Sequence, residues 1–286
     1  MKLRLEGIRQ VYEKDYPPEL SRKVKVRPKK VSDDDEPGEE PDPDDPSPPD
    51  ASPTTEPEEP DPQESTAAVD TIELGKVSVV RLCKNHEQYL QYGGPNGTSG
   101  YFSPIEQELV VYDAKADEGR DATWAVLNHE GFHQYTFAFF GNLAPHSWYN
   151  EGTGDYYAGF SFNVKSKKFK VEKNVGRQDN ILMIREDYAP LRDFVQWDKA
   201  KYYGNGGIGR SGKELAGWAC YAQGWSLIYF LREGSKAKGW QKEWGSILDT
   251  YTDTLLETGD LEKALEKAFE GVDWDAFEDS WRNFTI

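Results

Sequence analysis

The sequence predicts an α+β domain, with a small sheet built early in the chain and a mainly helical part after it. Alternating, β-branched or aromatic segments, KVKVRPKK, KVSVVRL, GYFSP and ELVVYD, all lie in the first 113 residues. From about residue 121 onward the apolar residues recur at helical spacing instead. Strands gathered first and helices later are the pattern of an α+β domain rather than of alternating βα units.

Residues 1–16 carry Leu5, Ile8 and Tyr12 at helical spacing and predict an amphipathic helix ahead of a first strand at 23–30. Residues 1–32 are therefore assigned to the domain as its first helix and strand. Residues 33–69 are assigned to an acidic, proline-rich insertion or linker, and 70–286 to the body of the domain. The second strand is KVSVVRL; Asn85 then caps a short helix through Tyr92, and GGPNGTSG is a glycine-rich loop. GYFSP and ELVVYD read as a β pair at the edge of the sheet. A long helix from about Asp121 to Phe140 is closed by Gly141. Further helices are expected around Glu151, at Leu191 to Trp197, Lys213 to Leu231 and Trp240 to Leu256, with two short ones at the end.

Charge is concentrated in one place. Asp33 to Glu64 holds fifteen acidic residues, ten prolines and no Lys or Arg, which accounts for −15 of the formal net charge of −17. Such a segment repels itself and has nothing to bury, so it reads as an extended, disordered, solvated linker. The remainder has no basic patch of the kind phosphate backbones demand, which argues against nucleic-acid binding. No window approaches 18 consecutive apolar residues and the opening MKLRLEGIRQVYEK lacks an apolar signal core, so a soluble chain without membrane insertion is expected, its compartment and oligomeric state open. Two cysteines, Cys83 and Cys220, are too few for a disulfide scaffold, and sequence leaves their pairing open.

The chemistry sits in ATWAVLNHEGFHQYTFAFF. His129, Glu130 and His133 spell HExxH inside a predicted helix, so both imidazoles lie on one face within reach of one ion while Glu130 stands beside them. Trp124, Val126, Leu127, Phe132, Tyr135, Phe137, Phe139 and Phe140 make this helix apolar nearly all round, hence buried. Buried ionisable groups must be paired or bound to metal, and one Zn²⁺ supplies the reason for these. A catalytic zinc needs a third protein ligand, and Glu151 in WYNEGTGDYYAG, eighteen positions after His133, offers it.

With these residues the chain resembles the gluzincins, zinc peptidases with a zincin-like fold whose pattern is HExxH followed by a Glu in an NE-containing helix. The resemblance extends to YFSP, ELVVYD, NHEGFHQYTF, WYNEGTGDYYAG and CYAQGWSLIYFL, and looks closest to the peptidase MA-like gluzincin domains, over about residues 75–232. It implies Zn²⁺ as cofactor, His129, His133 and Glu151 as ligands, Glu130 as the general base and a peptide or protein substrate. Seventeen residues separate His133 from Glu151, one fewer than in the aminopeptidase pattern, so the connection is tighter. No GxMEN-like motif precedes the helix, which favours an endopeptidase. HExxH defines an activated water and not the acyl group it attacks. A zinc amidohydrolase on a non-peptide amide and a silent binding module of the same fold are therefore the alternatives.

Gluzincins commonly place a Tyr or His from a later helix on the tetrahedral oxygen, and Tyr221 is the candidate here. Trp218, Tyr221, Trp225 and Ile228 also form one helical stripe, so a plain core role stands beside that reading. Asp155, four residues after Glu151, shares its helical face and is expected to accept the outer ring N–H of His129; the alternative is a solvated surface Asp. His146 reads as a loop histidine near the cleft and His86 as a surface one. The abundant aromatics are assigned to the core.

Overall fold

In the computed structural model, residues 2–21, 79–114, 120–141 and 143–286 are described. The strand expected at 23–30 and the acidic insertion at 33–69 lie outside them. The architecture is α+β: a three-stranded sheet packed between two helices, followed by a mainly helical part with one added hairpin.

The sheet has the order β1-β3-β2, with β1 (Val79–Cys83) parallel and β2 (Gly100–Ser103) antiparallel to β3 (Glu108–Tyr112). The antiparallel partnership of GYFSP and ELVVYD is present, but ELVVYD is not an edge. It is central and buried along its whole length. The reason is that both of its faces are apolar: Val110 and Tyr112 pack with Cys83, Tyr89 and Ala114, while Leu109 and Val111 pack with Leu127 on the other side. A strand with two apolar faces needs cover above, below and along both edges. Tyr89 comes from α3 (His86–Gln91), whose first turn is capped by the Asn85 side chain accepting from the Gln88 N–H.

The other face of the sheet rests on α4 (Arg120–Phe140), which ends where Gly141 adopts φ 63°. Behind it runs α1 (Lys2–Asp15), burying Ile8 and Tyr12 as its spacing predicts, and then the single turn α2 (Pro18–Ser21). Tyr12 donates its hydroxyl to the Asn128 carbonyl at 2.5 Å, and Tyr135 donates to the Tyr16 carbonyl at 2.6 Å. These bonds join α1 to the back of α4.

α5 (Ser147–Ala158) follows, and then a hairpin that sequence reading missed, β4 (Ser161–Asn163) with β5 (Lys168–Lys170). Its lysine-rich stretch lacks a two-residue Asn-Gly signal; the cross-strand pair Phe162 and Phe169, with ring centroids 5.0 Å apart, holds it. α6 (Val175–Met183), capped by Asn174, was also not anticipated. Next come two single turns, α7 (Leu191–Phe194), shorter than the Leu191 to Trp197 expected, and α8 (Lys199–Tyr202).

α9 (Gly217–Glu233) is the most buried long helix and lies against α5. It begins four residues later than expected because Ile208 and Glu214 form a short antiparallel bridge that holds the preceding residues in a turn. A 3₁₀ turn at Lys242–Ser246 precedes α10 (Ile247–Thr258), splitting what sequence reading took as one helix. α11 (Leu261–Ala268) and α12 (Trp274–Thr285) complete the chain. Cys83 and Cys220 are both buried and free. No helix among the described residues is long and apolar enough to cross a membrane.

Candidate metal centre

His129 and His133 project from one face of α4, one turn apart, toward α5, which supplies Glu151. The approach of the helices depends on small residues. A Cβ on Gly154 would stand 2.9 Å from both Cε1 and Nδ1 of His129, and one on Gly152 would stand 2.5 Å from the Gly224 carbonyl oxygen of α9. Without Cβ atoms there, α5 can lie against the imidazole on one side and the α9 backbone on the other.

Three side-chain atoms converge. The Nε2 atoms of His129 and His133 are 2.9 Å apart, and Glu151 Oε2 lies 3.3 Å from the first and 3.5 Å from the second. Ligand bonds of about 2.0–2.1 Å in tetrahedral arrangement require ligand atoms separated by about 3.3–3.4 Å. The observed triangle is close to one face of that tetrahedron, so His129, His133 and Glu151 form a group that could hold a metal ion. Glu151 is buried, and burial alone would raise its pKa; His133 and His129 reverse this and hold it well below the usual carboxylate range. Burial likewise works against charge on His129, but Asp155 and Glu151 more than offset it and raise its pKa, and Glu151 does the same for His133. The electrostatics of the triangle thus favour a cation among these atoms, which a proton or a metal ion supplies.

Asp155, one turn beyond Glu151, is buried, with Oδ1 3.2 Å from His129 Nδ1. Its other oxygen accepts from Arg177 Nε at 2.7 Å, and its backbone carbonyl accepts from Asn174 Nδ2 at 3.2 Å. His133 has no such support: its Nδ1 is buried without a hydrogen-bond partner among the described residues. Glu130 is half-buried and makes no hydrogen bond or ion pair among the described residues. Its charge is felt by His129, His133 and Tyr203, which puts it beside the centre.

Tyr221 lies on α9 with its ring against Tyr202 and Tyr203, at 5.5 and 5.9 Å between centroids, and with the Arg177 guanidinium 4.8 Å from its own. It is half-buried, and burial together with the Glu151 charge raises its pKa, so the phenol keeps its proton. Its stripe partner Trp225 is buried, whereas Trp218 is exposed. His146 is not brought to the centre. It stands at the N-cap of α5, with Nδ1 2.8 Å from the Tyr251 hydroxyl. His86 opens α3 and packs its ring on Tyr89 and Tyr112.

Four participants went unread in the sequence: Tyr203, which donates its hydroxyl to Glu151 Oε1 at 2.9 Å, and Arg177, Asn174 and Asn128. Asn128, next to His129, reaches from α4 to the Tyr157 and Phe160 carbonyls at the end of α5. Asn174 alone carried a signal, as the N-cap type ahead of a helix. Arg177 and Tyr203 come from distant parts of the chain with no fixed spacing, and Asn128, although next to His129, serves carbonyls that the sequence does not place beside it. No protein-family model matches this chain, and no curated protein sequence matches it.

Proposed function

We propose that the chain is a zinc-dependent peptidase of the gluzincin type, on a zincin-like fold, cleaving within peptide or protein chains. The observation that carries this is the triangle of His129 Nε2, His133 Nε2 and Glu151 Oε2, spaced for tetrahedral ligation and backed by Asp155 on the outer nitrogen of His129. Two imidazoles and one carboxylate are a donor set suited to Zn²⁺ and leave a fourth position open. A bound ion supplies Lewis acidity toward water and a carbonyl oxygen.

The protein's own groups account for the rest of the chemistry. Asp155 fixes the tautomer of His129 by accepting from Nδ1, which leaves Nε2 free as a ligand. Glu130, with no hydrogen-bond or ion-pair partner among the described residues, accepts a proton from the attacking water and returns it to the leaving amine. Tyr221, held protonated, is the candidate donor to the negative oxygen that develops on the attacked carbonyl.

The test is metal analysis followed by an assay on mixed peptides. Wild type should carry nearly one equivalent of zinc, His133→Ala close to none, and hydrolysis should stop on chelation. Glu130→Gln should keep the zinc and the fold but lose turnover, since the amide cannot accept the proton. Equal zinc in wild type and His133→Ala would end the metal assignment, and full activity in Glu130→Gln would end the role of Glu130.

A further inference from the structure

The two oxygens of Glu151 have different surroundings. Oε2 faces both histidine Nε2 atoms, while Oε1 accepts from the Tyr203 hydroxyl at 2.9 Å and lies 3.5 Å from Asn150 Nδ2. The asparagine contact is at the limit of a hydrogen bond, so Tyr203 is the effective partner of Oε1. Buried carboxylate oxygens need donors. Here the donor comes from fifty-two residues further along the chain.

Tyr203 is placed deliberately for this. It is the C-cap of α8, its backbone N–H bonded to the Lys199 carbonyl, and Gly204 at φ 98° turns the chain immediately after it. A Cβ on Gly204 would stand 2.8 Å from the Gly217 nitrogen at the start of α9, so the turn is packed closely against that helix. The ring meets Tyr202 edge-on at 5.8 Å and Tyr221 at 5.9 Å. Although 40% of the residue is exposed, its hydroxyl reaches a carboxylate that is buried.

We infer that Tyr203 is a positioning residue that holds Glu151 to a single ligating oxygen. The inference rests on the metal reading above and goes beyond it. A carboxylate with one oxygen committed to a phenol presents the other to an ion, whereas an uncommitted one can swing to present both. The second arrangement would fill the coordination position that water and substrate need. Tyr203 is thereby assigned to coordination geometry, and Tyr221 to the developing charge on substrate.

The experiment loads apo protein with Co²⁺, whose visible absorption is stronger in tetrahedral than in five- or six-coordinate sites, and measures metal affinity by chelator competition. Wild type, Tyr203→Phe and Tyr202→Phe are compared. The Tyr202 hydroxyl is buried beside Gly224 with no hydrogen-bond partner among the described residues, so its loss controls for removing a neighbouring phenol. Tyr203→Phe should bind metal about tenfold more weakly, the size expected for an outer hydrogen-bond partner. Its cobalt absorption should weaken while its circular dichroism stays unchanged. Tyr202→Phe should match wild type in both readouts. A Tyr203→Phe protein with wild-type spectrum and affinity overturns the inference and leaves the metal reading intact. Wild type that binds neither Co²⁺ nor Zn²⁺ overturns both.

Discussion

Gly154→Ala separates helix propensity from the needs of the centre. Within a helix Ala is favoured over Gly by about 1 kcal/mol, so on propensity alone the substitution stabilises α5. The new Cβ would stand 2.9 Å from Cε1 and Nδ1 of His129 and 3.2 Å from its Cγ, against about 3.4 Å for ordinary contact. The ring must retreat by about 0.5 Å, overpacking of a kind that costs about 1–3 kcal/mol. The apo protein should therefore lose between about 0 and 2 kcal/mol, a modest effect. On the proposed zinc reading, metal binding is affected more. Ligand distances tolerate only about 0.2 Å, and the retreat also disturbs the contact of Nδ1 with Asp155. Zinc affinity should fall roughly 10- to 100-fold, equivalent to about 1.4–2.7 kcal/mol. Competition with a chromophoric chelator reads the affinity directly. Thermal unfolding at fixed excess zinc gives a second measure, because each tenfold loss removes about 1.4 kcal/mol of metal-linked stabilisation. A variant with wild-type zinc affinity would show that the ring is not held where the structure has it, and the argument from Gly154 would be wrong. Gly152→Ala is the contrast: its Cβ meets the Gly224 backbone, which cannot rotate away, so it should destabilise the fold whether or not zinc is present.

Asp155→Asn keeps the shape but removes the charge that supports His129 and pairs with Arg177; zinc affinity should drop about 10- to 100-fold, and an unchanged value would leave Asp155 without a role at the centre. Asn128→Ala should cost about 1–3 kcal/mol in denaturant unfolding, because the Tyr157 and Phe160 carbonyls at the end of α5 lose a buried donor. A stability within about 0.5 kcal/mol of wild type would remove Asn128 as the link between α4 and α5.

Local features of the sequence were read well where one segment dictates its own structure. Ile8 and Tyr12 on α1, the Asn85 cap, the antiparallel pairing of β2 with β3 and the stop at Gly141 all follow from short-range pattern. Periodicity also explains why His129 and His133 share a face, and why Asp155 shares one with Glu151. It failed where tertiary partners decide. β3 became central because β1 pairs with its free edge, which no property of ELVVYD alone requires. The β4–β5 hairpin owes its stability to Phe162 on Phe169, a pairing across a lysine-rich stretch that has no strong turn signal.

The centre shows the same division in chemical terms. The two imidazoles obey the geometry of one helix turn and so leave a spacing in the sequence. Groups that orient those ligands need only arrive from any direction with the right donor, and they came from after the hairpin, from the end of α8 and from the neighbour of a ligand: Arg177, Tyr203 and Asn128. Their placement depends on the packing of α5 between α4 and α9, which in turn depends on the absence of side chains at Gly152 and Gly154. In WYNEGTGDYYAG the two glycines flank a threonine, and as helix interior residues they oppose helix formation by about 1 kcal/mol each. Their cost is explained by what a side chain would displace: the α9 backbone at one position and the His129 ring at the other.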